Sequence, residues 1–376
     1  MSLPLLKNTG DLKGKRVLLR LDLDVPVLKG AVQNAFRIES ARETLTFLRE
    51  GGARTLIIGH IGRDQKETLR PVFEYLKQSL PVAFAETLED ARKKMAGLSA
   101  GEFLLLQNLR SFPGETKNDV AFTKELASLA DIFVNEAFAV SHREHASIVG
   151  VPALLQSFAG FVFAKEVEYL SKVFTPAHPA LLILGGAKFE TKIPLIERFL
   201  NIADDIYICG ALANDIYRAR GYETGVSLVS DCKISQALLE SPKMHIPSDV
   251  IIRADSGNEE KGADNVGKTE KIVDAGSDAL ADLRALVEKA AFVLWNGPLG
   301  LYEEGFDQGT IALAQALVEC DAETVIGGGD SIAVVSKLGL LERFSFVSTG
   351  GGAMLEFLAK QTLPGIEALR NSASRK

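Results

Sequence analysis

The sequence predicts an α/β protein made of two doubly wound, parallel-sheet domains that are joined by a long interdomain helix, with a cleft between them. Short apolar runs rich in β-branched residues alternate with helical patterns along the whole chain, which is typical of parallel sheets covered by helices on both faces. The alternation restarts after a long amphipathic segment that begins near Phe161. A chain of 376 residues is also too long for one ordinary hydrophobic core. Both domains are therefore expected to be Rossmann-like.

The expected elements follow from these runs in order. In the first half, strands are predicted over residues 16–23, 55–58, 103–106 and 132–134, and helices over 39–50 and 71–80. In the second half, strands are predicted over residues 181–184, 206–208, 250–252, 292–294, 325–326 and 346–347. The predicted domains are residues 1–158 and 159–362, with the interdomain helix at 159–175. The apolar tail, residues 363–376, is expected to pack back on the first domain.

The composition argues against several classes of function. The formal net charge of −7 is unlike that of a general nucleic-acid binder. The three cysteines (Cys209, Cys232 and Cys320) have no CxxC spacing, which argues against a thiolate metal site and favours a reducing compartment. The sequence shows no signal-peptide pattern and no run of membrane-spanning length. We therefore expect a cytoplasmic protein without nucleic-acid or membrane partners, and a monomer because no interface signal stands out.

Basic residues follow the predicted strands of the first half, where ligands bind in open parallel sheets. Aspartates occur after the first strand, and arginines and histidines occur after the later ones. The full set is Asp22, Asp24, Arg37, His60, Arg63, Arg110, His142, Arg143 and His145. Arginine matches the oxygens of carboxylates and phosphates. A small anionic, phosphorylated substrate is the hypothesis. Any single arginine is more often a solvated surface charge, but four at successive strand ends favour a binding site.

Glycines take these positions in the second half. They are Gly185, Gly186, Gly210, Gly297, Gly300, Gly327 to Gly329 and Gly350 to Gly352. With Lys188, Lys192 and Asp330, this pattern is typical of a nucleotide-phosphate and metal site. Asp330 begins a helix directly after a glycine turn and would repel a phosphate, so a divalent cation is expected between the two. The alternatives are an ordinary tight βα turn and an exposed lysine pair.

One segment imitates a phosphate-binding loop. Residues 262–269 satisfy the pattern G-x-x-x-x-G-K-[ST], with Lys268 as its lysine. A working loop needs a strand directly before it and a long helix after it. The preceding strand is expected to end near Arg253, and Gly276 interrupts the residues on the C-terminal side. We interpret the segment as a polar surface loop.

In these motifs and in their order, the chain resembles the phosphoglycerate kinase family over nearly its whole length. The first half contributes Arg20-Leu21-Asp22-Leu23-Asp24-Val25-Pro26, His60-Ile61-Gly62-Arg63, Asn108-Leu109-Arg110 and His142-Arg143-Glu144-His145-Ala146-Ser147. The second half contributes Gly185-Gly186-Ala187-Lys188, Trp295-Asn296-Gly297-Pro298-Leu299-Gly300-Leu301-Tyr302-Glu303, Gly327-Gly328-Gly329-Asp330, Ser348-Thr349-Gly350-Gly351-Gly352-Ala353 and Leu363-Pro364-Gly365-Ile366. Nine motifs in the family's order make the resemblance specific.

The resemblance implies a reversible kinase reaction, in which a phosphoryl group passes from 1,3-bisphosphoglycerate to Mg²⁺-bound ADP and yields 3-phosphoglycerate and ATP. By similarity, the phosphoglycerate is bound by Asp22, Asp24, Arg37, His60, Arg63, Arg110 and Arg143. The nucleotide is bound by Gly186, Lys188, Lys192, Gly210, Asn296, Pro298, Glu303, Gly327, Gly328, Gly329, Asp330 and Ser331. Catalysis falls to Arg37, Lys192, Gly328, Gly329 and Gly351, the metal to Asp330 and the ribose to Glu303.

The same resemblance implies that the domains close on a hinge near the Phe161 helix. Two departures from the family are notable: Asp24 stands where Asn is usual, and the segment 209–213 is less glycine-rich. They leave open a nucleotide-binding relative with weak or lost kinase activity and a regulatory role. A second alternative is a different kinase that uses Lys268.

Overall fold

The computed structural model describes residues 2–187, 189–230 and 232–374. The chain forms two compact units. The first consists of Met1–Glu168 together with Lys360–Lys376, and the second of Tyr169–Ala359.

The first unit is built on a six-stranded sheet in which every pairing is parallel. Its strand order is β5-β6-β4-β1-β7-β8. The strands are β1 (Arg16–Arg20), β4 (Arg54–Ile58), β5 (Val82–Ala85), β6 (Phe103–Leu106), β7 (Ile132–Asn135) and β8 (Gln156–Ala159), and a separate hairpin pairs β2 (Val27–Leu28) with β3 (Ala31–Val32). The inner strands are almost wholly buried, as expected when helices cover both faces of a parallel sheet.

The helices of this unit connect the strands and cover the sheet. They are α1 (Phe36–Ser40), α2 (Arg42–Glu50), α3 (Arg70–Leu76), α4 (Leu88–Ala96), α5 (Pro113–Thr116), α6 (Val120–Ala127) and α7 (Phe161–Lys172). Helix α7 begins in the first unit and ends in the second. Its N-terminus is capped from the sheet, because the buried Glu136 accepts hydrogen bonds from the backbone N–H groups of Val162 (3.1 Å) and Phe163 (3.0 Å).

The second unit has its own six-stranded parallel sheet, with strand order β11-β10-β9-β15-β16-β17. A three-stranded antiparallel sheet, in the order β13-β12-β14, accompanies it. The strands are β9 (Ala180–Leu184), β10 (Asp205–Ile208), β11 (Met244–His245), β12 (Asp249–Ala254), β13 (Gly257–Gly262), β14 (Lys271–Ala275), β15 (Phe292–Asn296), β16 (Glu323–Gly327) and β17 (Phe346–Val347). The helices are α8 (Ile193–Phe199), α9 (Ala211–Ala219), α10 (Gln236–Leu239), α11 (Ser277–Lys289), α12 (Gln308–Glu319), α13 (Gly329–Lys337) and α14 (Gly352–Lys360).

The chain ends on the first unit with helix α15 (Pro364–Ala373). Gly365 N–H donates to Ser141 O (2.9 Å), and Ser157 N–H donates to Ser372 Oγ (2.9 Å). These bonds join the last helix to β8 and to the loop after β7. No helix in the described part of the chain is long and apolar enough to cross a membrane.

The predicted class, α/β with two parallel-sheet domains, is confirmed. Several predicted elements were wrong in detail. The strand over 16–23 ends at Arg20, and the helix over 39–50 is two helices that meet at Ala41. The strand over 250–252 lies in the antiparallel sheet as part of β12. The edge strands β5, β8 and β11 were not predicted, because they are only two to four residues long and β8 and β11 also contain polar residues.

Candidate active site

Predicted site residues of the first unit gather at one edge of its sheet. Asp22 and Asp24 follow β1, His60 follows β4, and Arg110 lies in a 3₁₀ turn after β6. Because β6, β4 and β1 are adjacent and parallel, their carboxyl ends lie side by side and bring these side chains close together.

Arg37, from helix α1, is held by the two aspartates. Its Nη1 lies 3.3 Å from Asp22 Oδ2 and donates to the backbone oxygen of Asp24 (3.1 Å). Burial raises the pKa of Asp22, whereas the charges of Arg37 and Arg20 act in the opposite direction. The Arg37 side chain is one-third exposed, so it is held by the aspartates and still accessible to a ligand.

Asp24 turns its two carboxylate oxygens to different partners. Oδ1 accepts a hydrogen bond from Gly62 N–H (2.8 Å), and Oδ2 lies 3.8 Å from His60 Nε2. Gly62 also accepts a hydrogen bond through its backbone oxygen from Arg110 Nη1. Asp24, the residue that departs from the family pattern, is therefore oriented by the loop after β4.

A buried network below this surface was not predicted. Arg20, at the end of β1, is 1% exposed and donates from Nε to Ser147 Oγ (3.0 Å). Ser147 donates in turn to Glu115 Oε1 (2.6 Å), and Glu115 is also 1% exposed. Arg20 Nη2 reaches His60 Nδ1 at 3.3 Å. The sequence contains one signal of this network, which is that Arg20 ends an apolar run. A charge buried at the end of a strand needs a partner elsewhere in the chain.

Positive charge dominates the electrostatics of this edge. The pKa of His60 is lowered to about 2, first by burial and then by the charges of Arg20, Arg110 and Arg143. The same causes lower the pKa of His145 to about 4. Both imidazoles are neutral near pH 7, so the arginines supply the positive charge that attracts an anion.

The remaining predicted residues of the first unit lie at the margin. Arg143 is half-buried, and its Nε donates to His142 Nε2 (3.3 Å). Arg63 is exposed, and its positive charge contributes to lowering the pKa of Arg110. His145 Nδ1 lies 3.9 Å from Glu115 Oε1, so it contacts the buried network.

In the second unit, Lys192 is the central charged residue of the predicted site. It is 7% exposed, donates from Nζ to the backbone oxygen of Gly185, and lies 3.4 Å from Asn296 Oδ1. Burial lowers the pKa of Lys192 to about 8, while Cys209 and Asp330 act in the opposite direction. Lys192 precedes helix α8, after a 3₁₀ turn at Phe189–Thr191. Lys188, its predicted neighbour, lies outside the described residues.

Glycines follow four neighbouring strands of this sheet and allow close backbone packing. Gly186 follows β9, Gly210 follows β10, Gly297 and Pro298 follow β15, and Gly327 ends β16. A Cβ atom on Gly185 would lie 2.1 Å from Pro298 O, and one on Gly297 would lie 2.4 Å from Gly185 O. Side chains are therefore excluded where these turns meet, and backbone groups form the surface.

The turn after β16 presents the N-terminus of α13. Gly328 caps this helix at φ +97°, a conformation that favours glycine. Gly329 and Asp330 are exposed in its first turn, whereas Ser331 is buried and its Oγ accepts a hydrogen bond from Gly297 N–H (3.0 Å). Gly351 directly precedes α14 at φ +51°. Free N–H groups at the start of α13 thus face solvent beside an exposed carboxylate.

A cavity of about 170 Å³ opens beside the turns that follow β10 and β15. Gly210, Ala211, Tyr217, Leu228 and Leu299 are among its lining residues, so its wall is largely apolar. Glu304 and Lys271 also line it and are ion-paired (2.7 Å). Glu303, in the 3₁₀ turn at Tyr302–Glu304, is exposed and is not one of the lining residues.

The segment that imitates a phosphate-binding loop has a different structure. Contrary to our expectation, a strand does precede it, because β13 ends at Gly262; however, a 3₁₀ turn and strand β14 follow instead of a helix. The Gly267 N–H donates to Glu270 Oε2 (2.6 Å). The Glu270 carboxylate therefore already accepts the hydrogen bond of a backbone N–H group that a phosphate would need.

The chain is similar to known proteins of one family over most of its length. The family model for phosphoglycerate kinase matches residues 6–361. The chain belongs to the phosphoglycerate kinase family. It is 42% identical over 385 residues to the phosphoglycerate kinase of Fervidobacterium nodosum, with 96% of each chain covered. It is also 42% identical over 381 residues to a phosphoglycerate kinase of Thermus thermophilus, with 96% of this chain and 98% of the relative covered.

Solved structures of the family share the fold. The phosphoglycerate kinase from Coxiella burnetii superposes with a TM-score of 0.84 at 34% identity, covering 99% of this chain and all of that one. The enzyme from Pyrococcus horikoshii gives a TM-score of 0.88 at 29% identity over the whole of both chains. As a member of this family, the chain is a phosphotransferase with a carboxyl group as acceptor, and ATP and ADP are its co-substrates.

Proposed function

We propose that the arginine-rich edge of the first unit binds 3-phosphoglycerate and 1,3-bisphosphoglycerate. The positive charges of Arg110 and Arg143 near a neutral His60, with Arg37 held next to them by Asp24, carry this proposal. Such a cluster suits a small ligand with two anionic ends, because arginine forks match carboxylate and phosphate oxygens. Arg63, at the exposed margin, contacts the outer anionic group. Asp22 and Asp24 accept a hydrogen bond from the substrate hydroxyl, since a carboxylate cannot donate to an anion.

The glycine-lined edge of the second unit binds the nucleotide. The base enters the cavity beside Gly210, and the phosphates approach Lys192 and the N-terminus of α13 at Gly328 to Ser331. Gly186, Asn296, Pro298 and Gly327 form the backbone wall, and Glu303 accepts from the ribose hydroxyls. Lys188 contributes a second positive charge to the phosphates, as its place in the family motif implies.

A magnesium ion is part of the same proposal, with Asp330 as its protein ligand. Mg²⁺ commonly binds through one or two carboxylates together with substrate phosphates. The exposed Asp330 at a helix N-terminus fits this chemistry, and within the described residues no group of three or more His, Cys, Asp or Glu side chains could hold an ion by itself. When bound, the ion neutralises phosphate charge that would otherwise repel Asp330.

The mechanism then consists of positioning and charge stabilisation. In the direction that consumes ATP, the nucleophile is the carboxylate of 3-phosphoglycerate, which is ionised at neutral pH, so no general base is needed. Arg37 and Lys192 stabilise the charge on the transferring phosphoryl group, with the backbone N–H groups at Gly328, Gly329 and Gly351. The two sets of residues belong to separate units, so transfer requires both units to act on one phosphoryl group.

The direct test is a coupled assay of ATP formation from 1,3-bisphosphoglycerate and Mg²⁺-bound ADP. Turnover with the wild-type chain supports the proposal, and binding of ADP without turnover would favour a regulatory relative instead. Size-exclusion chromatography tests the accompanying proposal of a monomer. We also propose that the protein has no nucleic-acid partner. A cytoplasmic location is part of the same proposal and is in keeping with the three free thiols.

A further inference from the structure

The hydrogen bonds of the buried network beneath the arginine-rich edge of the first unit run in one direction. Glu115 accepts two hydrogen bonds from Ser147, one from its Oγ (2.6 Å) and one from its backbone N–H (3.0 Å). Ser147 Oγ therefore donates a hydrogen bond to Glu115 and accepts one from Arg20 Nε (3.0 Å). A third donor of Arg20, Nη1, is taken by the backbone oxygen of Leu21. A guanidinium can only donate, so each contact of Arg20 has one possible donor.

The direction of the network determines which nitrogen of His60 carries the proton. A guanidinium has five N–H donors and no acceptor, so at the 3.3 Å contact between Arg20 Nη2 and His60 Nδ1 the ring nitrogen must accept. A neutral imidazole with an unprotonated Nδ1 carries its hydrogen on Nε2. That atom faces Asp24 Oδ2 at 3.8 Å, on the side where the substrate is proposed to bind.

We propose that Arg20, Ser147 and Glu115 are positioning residues that lock His60 in the Nε2–H form, so that it donates a hydrogen bond to the bound phosphoglycerate. Glu115 supplies the charge that keeps Arg20 buried, Ser147 orients the guanidinium, and Arg20 sets the proton on the imidazole. None of these three residues needs to touch the substrate. The assignment of His60 to the substrate rests on the proposed function.

Burial and charge explain why the three residues act together. Arg20, Glu115 and Ser147 are each at most 1% exposed. A buried guanidinium without a counter-charge is strongly unfavourable, and Arg110 and Arg143 add positive charge around Arg20. Glu115 is the largest favourable influence on Arg20, and burial raises the pKa of Glu115 while Arg20 opposes this. His145, beside Glu115, and Asp22, whose charge acts on Arg20, are further titratable groups that face this network.

The experiment is nitrogen NMR of the histidine side chains in the wild-type protein without substrate. The chain has five histidines, and the spectrum of the His60→Gln variant identifies the signals of His60. We expect a pyridine-type signal from Nδ1 and a pyrrole-type signal from Nε2, unchanged between pH 5 and 8. The reverse pattern, or an exchange-averaged pair, would overturn the proposal without any further variant.

Variants then test the cause. In Arg20→Met, we expect His60 to lose its fixed tautomer and the Kd for 3-phosphoglycerate to rise about tenfold, as for loss of a well-placed donor. Ser147→Ala is a small change that keeps the buried charges, and it should give a mixture of tautomers and a smaller loss. A fixed Nε2–H tautomer in both variants would contradict the role of the network.

Arg16→Met is the matched control. Arg16 begins the same strand β1 and donates from Nε to Asp131 Oδ1 (3.1 Å), but at the opposite end of the strand. We expect it to leave both the His60 signals and the Kd unchanged, and an equal effect of Arg16→Met and Arg20→Met would refute the assignment. Calorimetry with His60→Gln separates the two proposals, because unchanged affinity there would remove His60 from the substrate site and leave its tautomer as measured.

Discussion

Replacing Lys192 by methionine should change how the stability of the second unit depends on pH. The side chain is buried, and its pKa of about 8 is well below the ordinary lysine value of 10.5. Between these two values the unfolded chain binds more protons than the folded chain. Folding stability must therefore rise with pH across this window, because deprotonation removes the cost of a buried charge.

The magnitude follows from the same two values. A pKa lowered from 10.5 to about 8 corresponds to a penalty of about 3 kcal/mol at pH 7, which falls to about 1 kcal/mol at pH 9.5. Relative to Lys192→Met, the wild-type protein should therefore gain about 2 kcal/mol of stability between pH 7 and pH 9.5. At pH 7 the variant also leaves Gly185 O without its lysine donor, which offsets part of its advantage.

The assay is urea unfolding followed by tryptophan fluorescence at several pH values. Trp295 is the single tryptophan of the chain, lies fully buried in β15 and donates to Gly297 O (2.8 Å), so its signal reports on the second unit. Lys268→Met serves as the control, because Lys268 is an exposed lysine of the same unit. Its curve should run parallel to that of the wild type. A parallel curve for Lys192→Met as well would refute the reasoning.

Three further predictions concern substrate affinity and turnover. Asp24→Asn removes a partly exposed negative charge near an anionic substrate and keeps an oxygen that can accept from the substrate hydroxyl, so the Kd for 3-phosphoglycerate, measured by calorimetry, should fall about fivefold; a higher Kd would mean that the hydrogen bond to the carboxylate outweighs its repulsion of the substrate. Gly328→Ala forces a side chain into φ +97° with its Cβ 3.3 Å from Asn296 Nδ2, so kcat for ATP formation should fall at least about tenfold, and wild-type turnover would contradict the tight turn. Lys268→Ala should keep wild-type turnover, whereas a large loss would revive the phosphate-loop alternative.

Much of this organisation could be predicted from the sequence because parallel strands are continuous apolar runs. Residues within a few positions of the end of such a run lie at the edge where ligands bind, so Asp22, His60 and Arg110 could be identified from position alone. In the second half, glycines at the ends of the strands likewise indicated a site where backbone groups pack closely. Local sequence is sufficient for predictions of this kind.

The rest depends on contacts between distant parts of the chain. Arg20 and Ser147 are separated by 127 positions and Ser147 and Glu115 by 32, and no local pattern shows that they meet. Strand β13 is largely exposed and polar, so it gave no apolar signal, and the antiparallel sheet was missed for that reason. Lys192 likewise lies beside Asn296, the last residue of β15, which is 104 positions further along the chain.

The most direct test of the whole account is the kcat for ATP formation in Arg37→Ala and Lys192→Met, each paired with calorimetry for the ligand of the other unit. If both side chains stabilise the transferring phosphoryl group, each variant should lose about a hundredfold or more in kcat. Arg37→Ala should still bind ADP, and Lys192→Met should still bind 3-phosphoglycerate, with nearly wild-type affinity. Wild-type turnover in either variant would contradict the claim that the two units act on one phosphoryl group.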